Sequence, residues 1–553
     1  YVLLRLLKFH SLNSWIEWLV LAFALSIGLT SFICTIVLPF TEYRAILISA
    51  IYIGISLSPL LKDRIDKSGE RPQICEERRM NEYNPFDALL LLWISLFFIF
   101  AISSVYPQMS YCPGLDIIRH FSSSRLLTLA PDAYQSPYPW FHLTWATVYE
   151  LSSPTMEAFQ TGLAYLSLVV VFSFYIIAKA YLKDVDRRAP ILATIFFFVF
   201  SGFGWLHFLG EKLSTLDPSK QLDMLRASNN ASYWDIGYGQ GPWKWLWFRP
   251  MTVAFTLFFV LLYLLSRKDI SKRTFIAIFS FLIVTLGLIH IPELILFNVF
   301  LLVLALLMPK TLNLRLKEAS LATLIGSITY FSYAWISCMF GGIVKTPPMD
   351  TLLILAGTAT ISCILTHRSP RQLMINFSAN CQTRFFEVFA GATALVFMSG
   401  LLAWLSSPNM FSVGKVYEIG YIPLMMYPVM LGIVGFFALH GLAVIAKRYR
   451  SNLAIVPVLL FLVALAFGKL ISFLSTEFLD LGYSERRFLP IIFASASMMA
   501  SASFVRQAST FLHYKKKVLT ATILALIVMT GIMSTNLSVE YWKLRTETSR
   551  VSQ

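Results

Sequence analysis

The chain has 553 residues, of which 57% are hydrophobic and only 14% are charged, and its mean hydropathy is +0.67. Soluble domains carry about a quarter charged residues, so this composition excludes a soluble globular protein. The net charge of +15 is not accompanied by a basic arm or an aromatic RNA-binding motif, and we therefore expect no nucleic-acid partner. An all-α polytopic protein embedded in a lipid bilayer is the class that remains.

Apolar runs of about 20 residues recur along the whole chain, and each is long enough to cross a hydrocarbon core of roughly 30 Å as a helix. Helices are expected because lipid offers the backbone no hydrogen-bond partner. The sequence predicts about 13–15 transmembrane helices. The candidate spans, in chain order, are 15–39, 43–61, 86–105, 155–182, 190–207, 249–265, 274–289, 291–308, 319–340, 350–366, 386–406, 422–447, 453–475, 489–506 and 516–536.

Lysine and arginine are concentrated in every second connection between these spans, which makes those connections cytoplasmic by the positive-inside rule. They are 62–85, 183–189, 266–273, 309–318, 367–385, 447–452 and 506–517. The net positive charge is then explained by loops that face anionic lipid headgroups. We expect an integral protein of the plasma membrane, with the N-terminus in the cytoplasm and the C-terminal tail outside the cell.

The complementary loops must lie on the outer face, and they are longer and richer in tryptophan, tyrosine and acidic residues. They are 106–138, 208–247, 407–421, 476–488 and the tail after 537. Long loops on one face usually carry function. The predicted organisation is an N-terminal helix pair at 1–61, a cytoplasmic linker at 62–85, a core with two large outer loops at 86–310, further transmembrane helices at 311–536 and an outer tail at 537–553.

The first outer loop contains "YCPGLDIIRHF" at 111–121, where a proline and a glycine interrupt the chain before a short amphipathic helix. We expect this helix to lie along the outer interface. Asp116 and His120 are four residues apart and share one helix face, with Arg119 beside them. The alternative is that Asp116 only caps the helix N-terminus, a role that stabilises a helix by about 1 kcal/mol.

The same loop continues with "APDAYQSPYPWFHLTW" at 130–145. Its prolines predict an extended approach to a helix that begins near Trp140 and His142 and ends near Ser152, too short to need to span the bilayer. His142 is a candidate site residue, although a lone histidine in this setting is more often an ordinary hydrogen-bonded residue of the interface. The tryptophans fit an interfacial aromatic belt as well.

Two later segments offer ionisable residues near the outer face. In "LGLIHIPELILF" at 287–298, His290 and Glu293 interrupt two short apolar runs, which indicates a cavity or the outer tip of a helical hairpin. In "TEFLDLGYSERRFLP" at 476–490, Arg486 and Arg487 stand at a membrane boundary, and a guanidinium suits a phosphate. The alternative for these arginines is an ion pair with a nearby acidic residue of the same loop.

The second outer loop contains a cluster of tryptophans that includes Trp234, followed at once by Asp235. Aromatic rings stack on the apolar faces of sugars while carboxylates bind hydroxyl groups, so this cluster is a candidate sugar-binding surface. Tryptophans also collect at membrane interfaces without any ligand, and both interpretations stay open.

Taken together, the outer-loop motifs resemble those of the GT-C superfamily of membrane glycosyltransferases. The resemblance rests on D-x-x-x-H at Asp116–His120 and on Y-P-x-x-H at Tyr138–His142, and it covers residues 86–310 in some detail. It implies a polyprenyl-phosphate-linked sugar as donor, an early acidic residue that acts as catalytic base or orients the acceptor, and a late arginine that binds the phosphate. The chain departs from the best-known branches because Ile117 follows Asp116 where those have an Asp-Glu pair.

The expected function is therefore that of an inverting glycosyltransferase, a hexosyltransferase of the cell envelope that moves a sugar to a lipid, glycan or protein acceptor on the outer face. A carboxylate that takes a proton and a cation that stabilises the departing phosphate are the groups this chemistry needs. No cofactor is assigned, and the need for a divalent metal is left open. The alternatives are a multi-helix transporter or flippase, and a catalytically inactive GT-C-like scaffold subunit.

Overall fold

A computed structural model describes most of the helical part of the chain. The described residues are 14–40, 42–65, 85–105, 116–134, 138–200, 202–203, 250–307, 314–339, 342–344, 349–367, 426–448, 453–474, 484–513 and 528–533, with isolated positions between 391 and 424 and at 525. All the regular structure within these ranges is helical, so the predicted all-α fold is confirmed.

The first half of the described chain contains α1 (Trp15–Val37), α2 (Arg44–Ile65), α3 (Pro85–Val105), α4 (Asp116–Leu129), α5 (Pro139–Ser152), α6 (Met156–Leu166), α7 (Leu168–Leu182) and α8 (Ala189–Val199). The second half contains α9 (Pro250–Ser266), α10 (Lys272–Ile289), α11 (Ile291–Leu307), α12 (Leu316–Met339), α13 (Met349–His367), α14 (Met426–Arg448), α15 (Ile455–Leu474) and α16 (Ser484–His513).

Six helical segments among the described residues are long and apolar enough to cross a membrane: Trp15–Val37, Met156–Leu182, Lys272–Ile289, Leu316–Met339, Met426–Ala446 and Arg487–Gln507. Seven shorter apolar helices accompany them, which gives thirteen in all. This agrees with the predicted 13–15 spans, since two further predicted spans, 386–406 and 516–536, fall almost entirely outside the described residues.

The centre of the bundle is α9, whose side chains from Thr252 to Leu265 are all buried. A helix that is apolar and buried on every side belongs in the interior of a helical protein. It packs against α7 and α10, while α1 packs against α5 and α7. At the other side, α16 packs closely against α8, α14 and α15.

The contact between α14 and α16 is unusually close because a glycine stands at the crossing. A Cβ atom added to Gly441 would lie 1.9 Å from the backbone oxygen of Met499. Small residues of this kind let helix backbones approach each other within a membrane, where packing drives helix association. Gly432, in the same helix, has φ 56°, a left-handed conformation that favours glycine and bends α14.

Polar groups gather at both ends of the bundle. At one end, the guanidinium of Arg267 forms an ion pair with Glu17 at 3.2 Å, and that of Arg315 donates to the carbonyl oxygen of Ile270 at 2.6 Å. Two connections predicted to be cytoplasmic, 266–273 and 309–318, therefore meet there with the N-terminal end of α1. From this end α10 runs for 18 residues, about 27 Å, to His290 at the opposite end. The connection at 266–273, predicted to be cytoplasmic, and the hairpin at His290, predicted to be near the outer face, thus lie at opposite ends of α10.

Candidate functional site

Two short helices form one wall of the site, and both have the lengths that the sequence predicts. α4 and α5 have 14 residues each, and neither is among the candidate membrane spans. α5 begins with Pro139, whose fixed φ and missing N–H suit the first helical position. α4 buries Phe121 and Leu127, as expected of an amphipathic helix that rests on the bundle.

Both short helices are held in place by α1 and by the start of α2. The Arg44 guanidinium donates to the carbonyl oxygens of Leu38 and Thr128 at 2.9 and 2.8 Å and to the Glu150 carboxylate at 3.2 Å. Arg44 is 4% exposed, so it ties the C-terminal ends of α4 and α5 to the turn between α1 and α2 from within the protein. A buried guanidinium shared among three acceptors fixes their relative positions.

The two histidines predicted for this loop are in direct contact. His120 Nδ1 lies 2.8 Å from His142 Nε2, and the hydroxyl of Tyr134 lies 2.6 Å from His142 Nδ1. His142 is fully buried and His120 is nearly so. The contact joins α4 to α5 and brings the two halves of the D-x-x-x-H and Y-P-x-x-H pattern together.

Burial holds the pKa of His142 well below its ordinary value, and the neighbouring His120 and Arg119 lower it further. The imidazole of His142 is therefore neutral at physiological pH. A neutral imidazole has one donor and one acceptor nitrogen, so the bonds to Tyr134 and His120 run in one direction along the chain of three side chains.

A second pair of predicted residues occupies the hairpin between α10 and α11. His290 has extended backbone angles, φ −161° and ψ 102°, and it separates the two helices. Glu293 stands in the first turn of α11, where the helix dipole stabilises a carboxylate, and its Oε2 pairs with His290 Nδ1. Glu293 is fully buried, and its Oε1 has no hydrogen-bond partner among the described residues.

Arg487, near the start of α16, completes this group. Its Nη1 lies 2.7 Å from His290 Nε2. A guanidinium stays protonated and offers only donors, so Nε2 of His290 is the acceptor of this bond. The proton of the imidazole is then on Nδ1 and is donated to the Glu293 carboxylate. The three side chains form a positive and a negative group bridged by a neutral histidine.

Tyr138 connects the two groups. Its ring stacks on the His290 ring, with centroids 5.4 Å apart and planes at 23°, and it meets the His120 ring edge-on at 5.7 Å. The resulting set is called the outer polar cluster below, and it consists of His120, Tyr134, Tyr138, His142, His290, Glu293 and Arg487. It unites the first outer loop, the α10–α11 hairpin and the start of α16.

For most of the remaining predicted site residues, the structure describes only the backbone or nothing. Asp116 is the first residue of α4, one turn before His120, and Arg486 is in α16 beside Arg487, but the side chains of both lie outside the described residues. Arg119 is exposed on α4. Trp234 and Asp235 lie outside the described residues altogether.

Two tyrosines of the outer polar cluster, Tyr134 and Tyr138, are not predicted as site residues from the sequence. A signal for Tyr138 is present, because it precedes His142 by four residues at the N-terminus of α5. Trp140 and Trp145 are buried at 2% and 6% exposure, which the interpretation as a lipid-facing belt does not predict. Within the described part of the chain, no group of three or more histidine, cysteine or acidic side chains is arranged to hold a metal ion.

The chain matches no protein-family model and no curated protein. It is similar to two solved structures, each at 14% sequence identity. One is the crystal structure of the Archaeoglobus fulgidus oligosaccharyltransferase tethered to an acceptor peptide with an NVT sequon, with a TM-score of 0.43 over 83% of this chain and 55% of that one. The other is the oligosaccharyltransferase AglB from the same organism with an inhibitory peptide and a dolichol-phosphate, with a TM-score of 0.42 over 84% and 56%. The chain thus spans about half the length of these two structures.

Proposed function

We propose that the chain is an inverting membrane glycosyltransferase that moves a sugar from a polyprenyl phosphate to a lipid, glycan or protein acceptor at the outer face. The observation that carries this proposal is the contact of Arg487 with His290 at 2.7 Å, inside a cluster that also contains the histidines of the first outer loop. A late cation and the early loop motif therefore belong to one site.

The cation suits a phosphate leaving group. Sugar transfer from a lipid phosphate leaves negative charge on the phosphate oxygens, and a guanidinium stabilises that charge through two parallel hydrogen bonds. Arg487 is in the first turn of α16 and belongs to the predicted outer loop 476–488, so we place it at the depth of the lipid headgroups. Arg486, its neighbour in the chain, is proposed as a second contact for the same phosphate.

The acceptor side of the site is assigned to the first outer loop. Asp116 opens α4 one turn from His120 and is proposed as the base or as the residue that orients the acceptor. His120 and His142 line the site through their direct contact. Trp234 and Asp235 are proposed to hold a sugar, because indole faces and carboxylates recognise opposite faces of a pyranose.

The location of the outer polar cluster suits a donor whose polyprenyl chain stays in the bilayer. The outer polar cluster lies at the end of the bundle to which the predicted outer loops belong, so a phosphate there has its polyprenyl chain beside the outer leaflet. One of the two similar archaeal structures is in complex with a dolichol-phosphate, which is a lipid of the proposed class.

The transporter alternative needs ionisable groups along a path through the middle of the membrane. Among the described residues, the ion-paired group of Arg267 and the cluster of Arg487, His290 and Glu293 lie at opposite ends of the bundle. This placement favours the enzyme over the transporter.

The test is a transfer assay with the full chain in proteoliposomes. A panel of polyprenyl phosphates carrying one radiolabelled hexose is added with membrane lipids, glycans and peptides as acceptors. We expect one donor to be consumed, with labelled acceptor and free polyprenyl phosphate formed in equal amounts. Movement of intact donor across the bilayer without any consumption would support a flippase and contradict the proposal.

A further inference from the structure

We propose that His290 accepts the proton of the acceptor hydroxyl group at Nε2. Arg487 occupies this nitrogen through a hydrogen bond until the guanidinium binds the donor phosphate instead. The inference rests on the proposed function, and it assigns the catalytic base of that reaction to the α10–α11 hairpin. Asp116 then has the other role open to it, which is to orient the acceptor.

The first support is the tautomer of His290. Nε2 is bonded to a group that can only donate, and Nδ1 is bonded to a carboxylate. The ring is therefore neutral, with its lone pair on Nε2, and this is the state that a histidine base must have before reaction. A carboxylate on Nδ1 also stabilises the imidazolium that forms when Nε2 takes a proton, as in other carboxylate–histidine pairs.

The second support is the rigidity of this pair. Glu293 is 0% exposed and His290 is 4% exposed, and the two stand three positions apart in one hairpin. The Tyr138 ring stacked on the imidazole leaves the ring edge, where Nε2 lies, as its reactive side.

The third support is that the hydrogen bond between Arg487 and His290 Nε2 can be exchanged for one to a phosphate. Arg487 is partly exposed, in contrast to His290 and Glu293, and its bond to Nε2 is to a neutral acceptor. A phosphate is negatively charged and accepts two parallel hydrogen bonds from a guanidinium, whereas Nε2 of His290 is a single uncharged acceptor. A lipid phosphate therefore competes for Arg487, and the exchange of partners frees Nε2 at the moment when the donor is in place.

The transfer step forms one bond at the anomeric carbon of the donor sugar and breaks another. The acceptor oxygen forms a bond to the anomeric carbon of the donor sugar while the bond from that carbon to the phosphate oxygen breaks. The phosphate leaves with the electron pair of that bond and is held by Arg487. The proton of the acceptor hydroxyl moves to Nε2 of His290, and the resulting imidazolium is paired with Glu293 until the proton passes to water.

The experiment uses the full chain in lipid nanodiscs with nitrogen-15-labelled histidine, and farnesyl phosphate is the probe. Probe binding is measured on the same samples. The signals of His290 are assigned by their loss in His290→Gln, with His440→Gln as the control for loss of a histidine elsewhere in the membrane domain. Arg487→Met tests directly whether the guanidinium occupies Nε2 of His290. Arg188→Met is the matched control, because Arg188 is exposed at the predicted cytoplasmic end and pairs with Asp186, two positions away.

Without probe we expect Nδ1 of His290 to be protonated and Nε2 to be an unprotonated hydrogen-bond acceptor. At saturating farnesyl phosphate, the nitrogen-15 chemical shift of Nε2 should move to the value of an imidazole nitrogen that accepts no hydrogen bond. Arg487→Met should show the same chemical shift without the probe. In the transfer assay, His290→Gln should lose roughly 10²–10⁴-fold in rate, the usual contribution of a general base, while His440→Gln retains the parental rate.

A protonated Nε2 without probe would overturn the inference. Binding of the probe without any change at Nε2 would also overturn it, while the phosphate site of the proposed function would stand. If the probe does not bind at all, the phosphate role of Arg487 fails, and the proposed function and this inference fall together.

Discussion

Arg487 donates a hydrogen bond to His290 across 197 positions of the chain, at a distance of 2.7 Å. The contact joins the start of α16 to the tip of the α10–α11 hairpin. Through Tyr138 the same tip touches His120 of α4. Three segments that are far apart in sequence therefore share one site at one end of the bundle.

Asp116→Asn should abolish sugar transfer and leave the protein folded. The amide has nearly the shape of the carboxylate but lacks the negative charge that orients the acceptor hydroxyl group. We expect a loss of at least about 10²-fold in rate, measured in the proteoliposome assay, with an unchanged gel-filtration profile. Asp184→Asn, in a predicted cytoplasmic connection, is the control for the change of charge. Transfer at the parental rate by Asp116→Asn would remove this residue from the mechanism.

Glu293→Ala should destabilise the protein much more than Glu318→Ala. The Glu293 carboxylate is fully buried, and its loss leaves His290 and Arg487 as an uncompensated polar pair, which typically costs about 3–5 kcal/mol. The Glu318 carboxylate is 25% exposed and lies 3.7 Å from Arg315, so its loss costs about 0–1 kcal/mol. Thermal denaturation midpoints in detergent measure the contrast. Equal midpoints for the two variants would show that the buried pair adds nothing to stability.

The stability of the protein should fall as the pH drops below about 6.5, in part because of His142. Its pKa is depressed in the folded state, so the unfolded state binds a proton first as the pH falls. The folded state then loses about 1.4 kcal/mol per pH unit until the folded pKa is reached. The slope of the denaturation midpoint against pH measures this effect.

His142→Gln is the variant that isolates this contribution. It removes the titrating group, so its slope between pH 6.5 and 5 should be shallower than that of the parent, whatever its absolute stability. Above pH 7.5 the two slopes should coincide, because His142 is neutral in both folded and unfolded states. Parallel slopes below pH 6 would contradict the assignment of a depressed pKa to this histidine.

Gly441→Ala should weaken the packing of α14 on α16. The added Cβ meets the Met499 backbone oxygen, which cannot move without shifting α16, and overpacking of this kind costs roughly 1–3 kcal/mol. Gly162→Ala is the matched control, because nothing lies within 4 Å of its Cβ position and alanine favours a helix interior by about 0.5–1 kcal/mol. We expect denaturation midpoints that shift in opposite directions, and a shift in the same direction would show that the α14–α16 crossing tolerates wider spacing.

Much of the helical architecture is predictable from hydropathy, because lipid permits few structures other than helices and the spans need a minimum length. The hairpin at His290 is one example, since two apolar runs meet there at a polar break, and each is short for a full span while the two together are too long for one span. The short helix beginning at Pro139 is another, since proline at the first position and the extended residues before it mark a helix start.

The partners within the site are not predictable in the same way. Nothing in the local sequence distinguishes Arg486 from Arg487, and only the rotation of α16 brings Arg487 to His290. The stacking of Tyr138 on His290 likewise depends on how α5 packs near the hairpin, which is set by long-range contacts such as those of Ser31 with Trp140 and Thr144. Periodicity identifies the helices, whereas three-dimensional packing selects the side chains that meet.

The most direct test of the account is to identify the lipid that copurifies with the protein. The full chain, Arg487→Met and Arg188→Met are purified in the same mild detergent, and their bound lipids are extracted and analysed by mass spectrometry. A polyprenyl phosphate, free or linked to a hexose, should copurify with the parent and with Arg188→Met and be depleted in Arg487→Met. Equal amounts in all three proteins, or no such lipid in the parent, would contradict a phosphate site at Arg487.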